Sequence, residues 1–402
     1  MSFSPPRRVL IVVENLPVPL DRRVWLEATA LTAAGYEVSV ISPMGRGWDK
    51  PYEEIDGVHI YRHPAPPEAH SGALAYAREY WHAIRAWFRL ARVVRRERGF
   101  DVIHGCNPPD LIFLLAWRYR LAGVRYLFDH HDVCPELFEA KFDKRGLLYR
   151  VMRIWERMTF ATASVSIATN DSFRDIAIRR GRMKPEDVFV VRSAPQVDRF
   201  KPGPGDPAYR KGAGTVLGYV GVIGQQEGMD LLIAAVDHLV REMGRSDVHC
   251  VIVGFGPTLE EVMADVAARG LEAHFTFTGA LYGDELLAAL NAIDIGVAPD
   301  PKNAMNDIST MNKIMEYMTL EKPAVQFDLT EGRVSAGAAA LCAKNNDPKD
   351  FAAQIARLMD DPELRRQMGQ AGRARVFEAL SWDYSVPHLL AAYERIFEKV
   401  RR

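Results

Sequence analysis

Three segments of this 402-residue chain combine residue types that can hold a phosphate, steady a leaving group or touch a sugar. In the first, GYVGVIGQQEGMDLLIAAV, an apolar run enters Gly221-Val222-Ile223-Gly224 and then a helical stripe of Met229, Ile233, Val236 and Val240. Glycines at a strand-to-helix turn let backbone amides approach an anion, and the helix N-terminus favours its charge. The spacing is not GxGxxG, which disfavours a nicotinamide cofactor, and a tight turn without a ligand is the plain alternative. The second segment is NDISTMNKIMEYM. Asp307, Ser309 and Thr310 predict a helix N-terminus, with Lys313 and Glu316 one turn apart on one face. An anion at that N-terminus, beside Lys313, would be stabilised as a leaving group, and Glu316 could accept from a sugar diol. A surface ion pair is the alternative. In the third, RYLFDHHDVCPE, a strand ends in Asp129-His130-His131-Asp132, where histidines can contact a substrate. A two-histidine-plus-carboxylate metal site competes with that reading, but no third ligand is recognisable by spacing.

These segments need a scaffold that places them at strand ends. Short β-rich runs alternate with helical patterns throughout: RVLIVV, EVSVIS, DVIH, RYLFD, SVSIA and VFVVR, then TVLGYVG, HCVIVG, HFTFTG, DIGVAP and PAVQF. A helix is expected from about Arg22 to Ala34, capped by Asp21, stopped by Gly35, with Val24, Ala28 and Leu31 on one face. The repetition argues for an α/β protein with two doubly wound parallel sheets facing a cleft. The Pro- and Gly-rich stretch 200–214 divides them, giving domains 1–202 and 213–383. A last helix from about Tyr384 carries Leu389, Tyr393, Ile396 and Val400 in a stripe, and 384–402 is expected to pack back on the first domain.

A formal net charge of −1, with 48% hydrophobic and 26% charged residues, gives no global attraction to nucleic acid. Cys106, Cys134, Cys250 and Cys342 lack paired spacing and read as buried free thiols. The opening MSFSPPRRVLIVVENLP is too short and strand-like for a signal peptide or membrane span, so a cytoplasmic setting is expected. In 74–98, Arg85, Arg89, Arg92 and Arg96 share one helical face, with Trp81, Ile84, Phe88 and Ala91 on another. That pattern suits peripheral binding to an anionic membrane surface; a solvated face of a packed helix is the alternative.

Taken together, these segments resemble the GT-B glycosyltransferases, specifically the retaining glycosyltransferase family 4, with N-terminal details like bacterial enzymes that build surface polysaccharides. The likeness spans nearly the whole chain, from DRRVWLEATALTAAGYEVSVISP and FDHHDVCPE through VFVVRSAPQVDRF, GYVGVIG, VIVGFGP, FTFTGALYGDELLAALNAIDIGVAP and KIMEYM to LSWDYS. It implies a nucleoside-diphosphate-sugar donor held by the second domain and a glycan or lipid-linked glycan acceptor by the first. It further implies that Glu316 binds the donor ribose and that His131 lines the reaction centre. Gly221 and Gly224 would lie beneath the diphosphate, with Gly256 and Leu281 near the nucleotide.

The departures are specific. The family's Glu-x7-Glu has Ile308 at its first position, leaving Asp307 as the adjacent carboxylate, assigned with His131 to the reaction centre. The usual Arg after the first glycine is Val222, and the usual Lys before the next is Glu227. Lys313 and the amides from Ser309 to Asn312 are expected to carry that load, with Arg192 as another source of charge. No Asp-x-Asp pair is present, so no metal is expected to be required. Retention then implies front-face attack, since no nucleophile for a double displacement is marked. A nucleotide-sugar epimerase or hydrolase on the same fold, or a non-catalytic nucleotide-sugar-binding protein, are the alternatives.

Overall fold

The computed structural model describes residues 7–65, 73–142, 145–195 and 197–400, with the side chains of 73–77, 141, 142 and 400 left aside. MSFSPP, the first residues of the opening run, and Gln196 lie outside the described residues. The chain divides into two compact units, one running to Ser193 and resuming at Trp382, the other spanning Ala194–Ser381.

The first unit is built on β1 (Arg8–Val13), β2 (Glu37–Pro43), β3 (Tyr52–Ile55), β4 (Val58–His63), β5 (Val102–Cys106), β6 (Arg125–His130), β7 (Val165–Ala168) and β8 (Val188–Val190). Their order is β3-β4-β2-β1-β5-β6-β7-β8. All neighbours are parallel except β3 and β4, which form a hairpin that the reading of an all-parallel sheet did not include. Its turn is Asp56-Gly57, both with positive φ (48° and 78°), and Ile55 pairs with Val58. That left-handed two-residue turn is what an Asp-Gly pair favours. The helix Arg22–Ala33 is capped by Asp21, whose carboxylate accepts from Val24 N–H at 3.2 Å.

Along β1 the side chains alternate between two buried layers: Val9, Ile11 and Val13 face one, Leu10 and Val12 the other. A sheet covered on both faces needs such near-continuous apolar strands. The first layer is completed by the last helix, Trp382–Val400, which buries Leu389, Tyr393 and Ile396 against it. Leu389 and Ile396 each contribute roughly 1.5–3 kcal/mol relative to exposure.

The second unit carries β9 (Thr215–Val220), β10 (Val248–Val253), β11 (Phe275–Gly279), β12 (Ile295–Ala298), β13 (Ala324–Phe327) and β14 (Ala340–Ala343), ordered β11-β10-β9-β12-β13-β14. Every pairing is parallel. The sixth strand, ALCA, is too short and only half buried to stand out in the sequence. The Pro- and Gly-rich stretch is tied to this unit: Phe200 is buried in its core and Gly203 N–H donates to Asn291 at 3.0 Å. The strand order reverses between β9 and β12, and in the first unit between β1 and β5. Open sheets bind ligands at the carboxyl ends of strands at such a reversal.

The long helix Ala73–Glu97 buries Ala83, Trp87, Ala91 and Val94, with Ile84 and Phe88 packed against them. Trp81, expected on the apolar face, instead is 59% exposed, whereas Trp87 is buried in the core and donates to Glu14 at 2.7 Å. Cys106, Cys134 and Cys250 are buried free thiols, whereas Cys342 is half-buried.

Candidate active site

In the second unit, β9 ends in Gly221, whose φ of +153° suits glycine. Gly221 N–H continues the ladder to Val253 O at 3.0 Å. A Cβ on Gly254 would collide with the Gly221 carbonyl, and one on Gly256 with that of Ile223. The two glycine-bearing strand ends therefore pack backbone to backbone. Past Gly224, the chain makes one 3-10 turn (Gln225–Glu227) and passes Gly228, at φ +68°, into the helix Met229–Asp237. Leu281 is half-buried against the core beneath.

The segment 306–316 reaches the same strand ends. Asn306 donates to Gln226 O at 3.1 Å and Pro301 O at 2.9 Å, tying this loop to the glycine turn. The helix begins at Asn312, later than Asp307, Ser309 and Thr310 suggest, and its N-cap is Met311, which makes no side-chain bond. Ser309 Oγ donates instead to Met305 O at 2.7 Å. Asp307 accepts from Thr330 N–H at 2.8 Å and pairs with Lys302 at 3.2 Å. Burial works against its charge, but these partners outweigh it and hold the carboxyl below its usual range. Asn312 is exposed and Glu316 half-buried. With no side-chain cap, the first-turn amides of this helix are not consumed by one.

Lys313 is brought under Gly221, its Cε 3.7 Å from where a Cβ there would stand. Tyr317, one turn on, pins the helix by accepting from Val220 N–H at 3.1 Å and donating to Val297 O at 3.2 Å. The ammonium of Lys313, however, lies 2.8 Å from Asp300 and 3.2 Å from Glu227, over the Tyr219 ring. Burial opposes the charge, but Asp300, Tyr219 and Glu227 outweigh it and raise the Lys313 pKa well above the usual range. Burial in turn pushes the Glu227 carboxyl up. A freely available lysine charge is thus replaced by a neutralised cluster.

In the first unit, β6 delivers the two histidines to different surroundings. His130 is buried among Phe128, Phe160 and Phe173, and burial with nearby Arg180 lowers its pKa to about 3. It is a core histidine. His131 follows the strand end, with its N–H donating to Asn107 Oδ1 at 2.7 Å and its Nε2 to Asp129. Asp129 is fully buried and accepts from Arg23 at 2.7 and 3.1 Å. Burial alone would raise its pKa, but Arg23, His131 and His104 outweigh that and hold it well below the usual range.

Glu27, His104, Cys106 and Asp129 bring four ligand-type atoms within 4.8 Å of one another, a grouping that sequence spacing did not suggest. Arg23 supplies a positive charge inside it, 3.2 Å from Glu27. Burial pushes both the Glu27 carboxyl and the Cys106 thiol well up, so the group is proton-rich. Arg23, Glu27, His104, Asn107 and Asp300 were all missed in the sequence. The available signal was Glu27 itself, which falls within the Val24–Leu31 stripe of its helix.

Comparison with known proteins matches this arrangement. A profile described as glycosyl transferases group 1 covers residues 214–361, and a glycosyl transferase 4-like domain covers 20–194. A GDP-mannose-dependent alpha-mannosyltransferase from Corynebacterium glutamicum is 34% identical over 74% of this chain and 68% of its own. A 2-deoxystreptamine glucosyltransferase from Streptomyces kanamyceticus is 29% identical over 79% and 84%. Among solved structures, a sucrose-phosphate synthase from Thermosynechococcus elongatus superposes with a TM-score of 0.77 at 16% identity, over 98% of this chain and 99% of that one. HepE from Anabaena in complex with UDP-glucose gives 0.71 at 14%, over 96% and 99%.

Proposed function

This chain belongs to the group 1 glycosyl transferases, retaining enzymes of GT-B fold that use nucleotide sugars, and on that premise we propose its acceptor, its site and its setting. The acceptor is a glycan or lipid-linked glycan, and the pathway is surface-polysaccharide synthesis at the cytoplasmic face of a membrane. The second unit holds the donor: the turn from Gly221 to Gly228 and the uncapped start of the helix Asn312–Thr319 meet the diphosphate, while Glu316 meets the ribose. The first unit holds the acceptor, with His131 beyond the end of β6 as its substrate-contacting side chain. The observation that carries this reading is the meeting of the glycine turn and the Lys313 helix at the strand reversal of the second sheet.

Lys313 enters this scheme differently from the sequence expectation. Its charge is already matched by Asp300 and Glu227, so backbone amides and helix termini carry the diphosphate. Lys313 adds attraction only in so far as Glu227 holds a proton.

The membrane setting is supported by the exposed row Arg85, Arg89, Arg92 and Arg96, none of which makes an ion pair among the described residues. Among those residues, no helix is long and apolar enough to cross a membrane.

The test is a thermal-shift screen of nucleoside diphosphates and their sugars, followed by product analysis with a labelled donor. A true donor raises the melting temperature by mass action. Glu316→Ala should abolish that shift, and labelled sugar should appear on an acceptor with retained configuration. Epimerised or hydrolysed donor without any acceptor product would defeat the transfer assignment.

A further inference from the structure

His131 is held from two directions. Asn107 fixes its backbone by accepting at 2.7 Å, and also receives Asp132 N–H at 3.2 Å. Asp129 fixes the ring at Nε2. Asp129 cannot turn away: Arg23 places Nη2 on one carboxylate oxygen at 2.7 Å and Nε on the other at 3.1 Å. Arg23 is itself anchored by Nη1 donating to Val191 O at 2.7 Å.

The surroundings keep that carboxylate ionised. His104, 3.5 Å from that carboxylate, turns Nδ1 to the Tyr393 hydroxyl at 2.7 Å, and burial depresses its pKa, so it stays neutral. Glu27 is pushed by burial, and by Asp129 beside it, to retain its proton. Arg23 and Asp129 therefore balance each other. An ionised carboxylate only accepts hydrogen bonds, so the His131 nitrogen that faces it carries the hydrogen. In the neutral ring the lone pair then sits on Nδ1, which has no hydrogen-bond partner among the described residues, while the side chain is 14% exposed.

We propose that Asp129, clamped by Arg23, is a positioning residue that locks His131 in its Nε2–H form and so presents Nδ1 as an acceptor to a substrate hydroxyl. The hydroxyl rests on the transferase reading above; the ring form does not. A histidine working at a reaction centre needs its proton on the correct nitrogen, and a buried carboxylate behind the ring sets which one that is.

The experiment uses the full chain with 15N-labelled histidine, at a pH where the ring is neutral, His131 being assigned by the signal lost in His131→Gln. The expected signals show a protonated Nε2 and a bare Nδ1. In Asp129→Asn the amide can donate to the ring, so the hydrogen moves to Nδ1. The kcat then falls on the order of 10²-fold, with KM for the donor unchanged, and Asp129→Glu restores part of it. Since Asp129→Asn leaves Arg23 buried without its partner, Arg23→Met/Asp129→Asn serves as the charge-balanced companion, with folding checked by circular dichroism. A bare Nε2 in the wild-type chain overturns the assignment, as does a kcat untouched by the moved hydrogen. If no donor supports transfer in the wild-type chain, the transferase reading falls while the ring signals still decide the Asp129 assignment.

Discussion

Lys313 Nζ stands 2.8 Å from Asp300, with both side chains buried, so the single lysine beneath the glycine turn is matched before any donor arrives. Glu227 closes the group at 3.2 Å, and burial together with Asp300 raises its pKa. Below that raised pKa Glu227 is neutral, and the cluster carries one negative charge fewer toward a diphosphate. Nucleoside diphosphate should therefore bind more weakly as pH rises through the Glu227 titration, by up to about tenfold, or about 1.4 kcal/mol. Glu227→Gln should flatten that dependence and keep the tight-binding value. Isothermal titration across pH 5 to 9 reads both, and an equally steep profile in the variant would assign the effect elsewhere.

Removing the lysine should cost stability rather than affinity alone. Lys313→Ala leaves Asp300 and Glu227 facing each other without a cation, and breaking a buried pair of this kind costs about 3–5 kcal/mol. Urea unfolding should show that loss, and Lys313→Met/Asp300→Asn should recover most of it. A single variant as stable as the parent would contradict the pairing.

Asp110 accepts from Asn107, the residue that holds the His131 backbone, at 2.8 Å. Burial, with Glu156 adding to it, pushes the Asp110 carboxyl up to about 7. The folded chain thus keeps a proton that the unfolded chain has lost, and this group's contribution to stability declines as pH climbs from about 4 to about 7. The decline is at most about 1.4 kcal/mol per pH unit. Asp110→Asn should remove that slope, so thermal melts of the two chains should diverge in the variant's favour as pH approaches 7.

The exposed arginines of Ala73–Glu97 make a separate prediction. Arg85→Glu/Arg89→Glu/Arg92→Glu should abolish flotation with vesicles containing anionic phospholipid, since each basic residue contributes about 1 kcal/mol near such a surface. Raised salt should weaken the parent chain's binding. Equal flotation with neutral and anionic vesicles would remove the membrane setting from the proposed function.

What the sequence made legible followed from local rules. Alternating strand and helix patterns announced both sheets, and the glycine turn was visible at Gly221, whose positive φ suits glycine, while Gly224, the other glycine read there, is extended. Asp21 was readable as a cap because its partner is three residues away. The charge clusters were not readable, because their members come from elements far apart in the sequence. Lys313 meets Glu227 across 86 residues, and Arg23 meets Asp129 across 106. No spacing rule reaches that far. The helix start at Asn312 was misplaced for a related reason: Asp307 looks like a cap in sequence, but its carboxylate is spent on Thr330 and Lys302.

The last helix gives the first unit an unusual assembly order. Residues 194–381 are contiguous, so during synthesis they can collapse as soon as they leave the ribosome. The N-terminal sheet emerges earlier yet must wait for Leu389, Tyr393 and Ile396 to cover one of its faces. Tyr393 also supplies the hydroxyl that meets His104, so the buried charges behind His131 acquire that partner only after residues 194–381 have been made. The first unit's core therefore closes only after the second unit has been made.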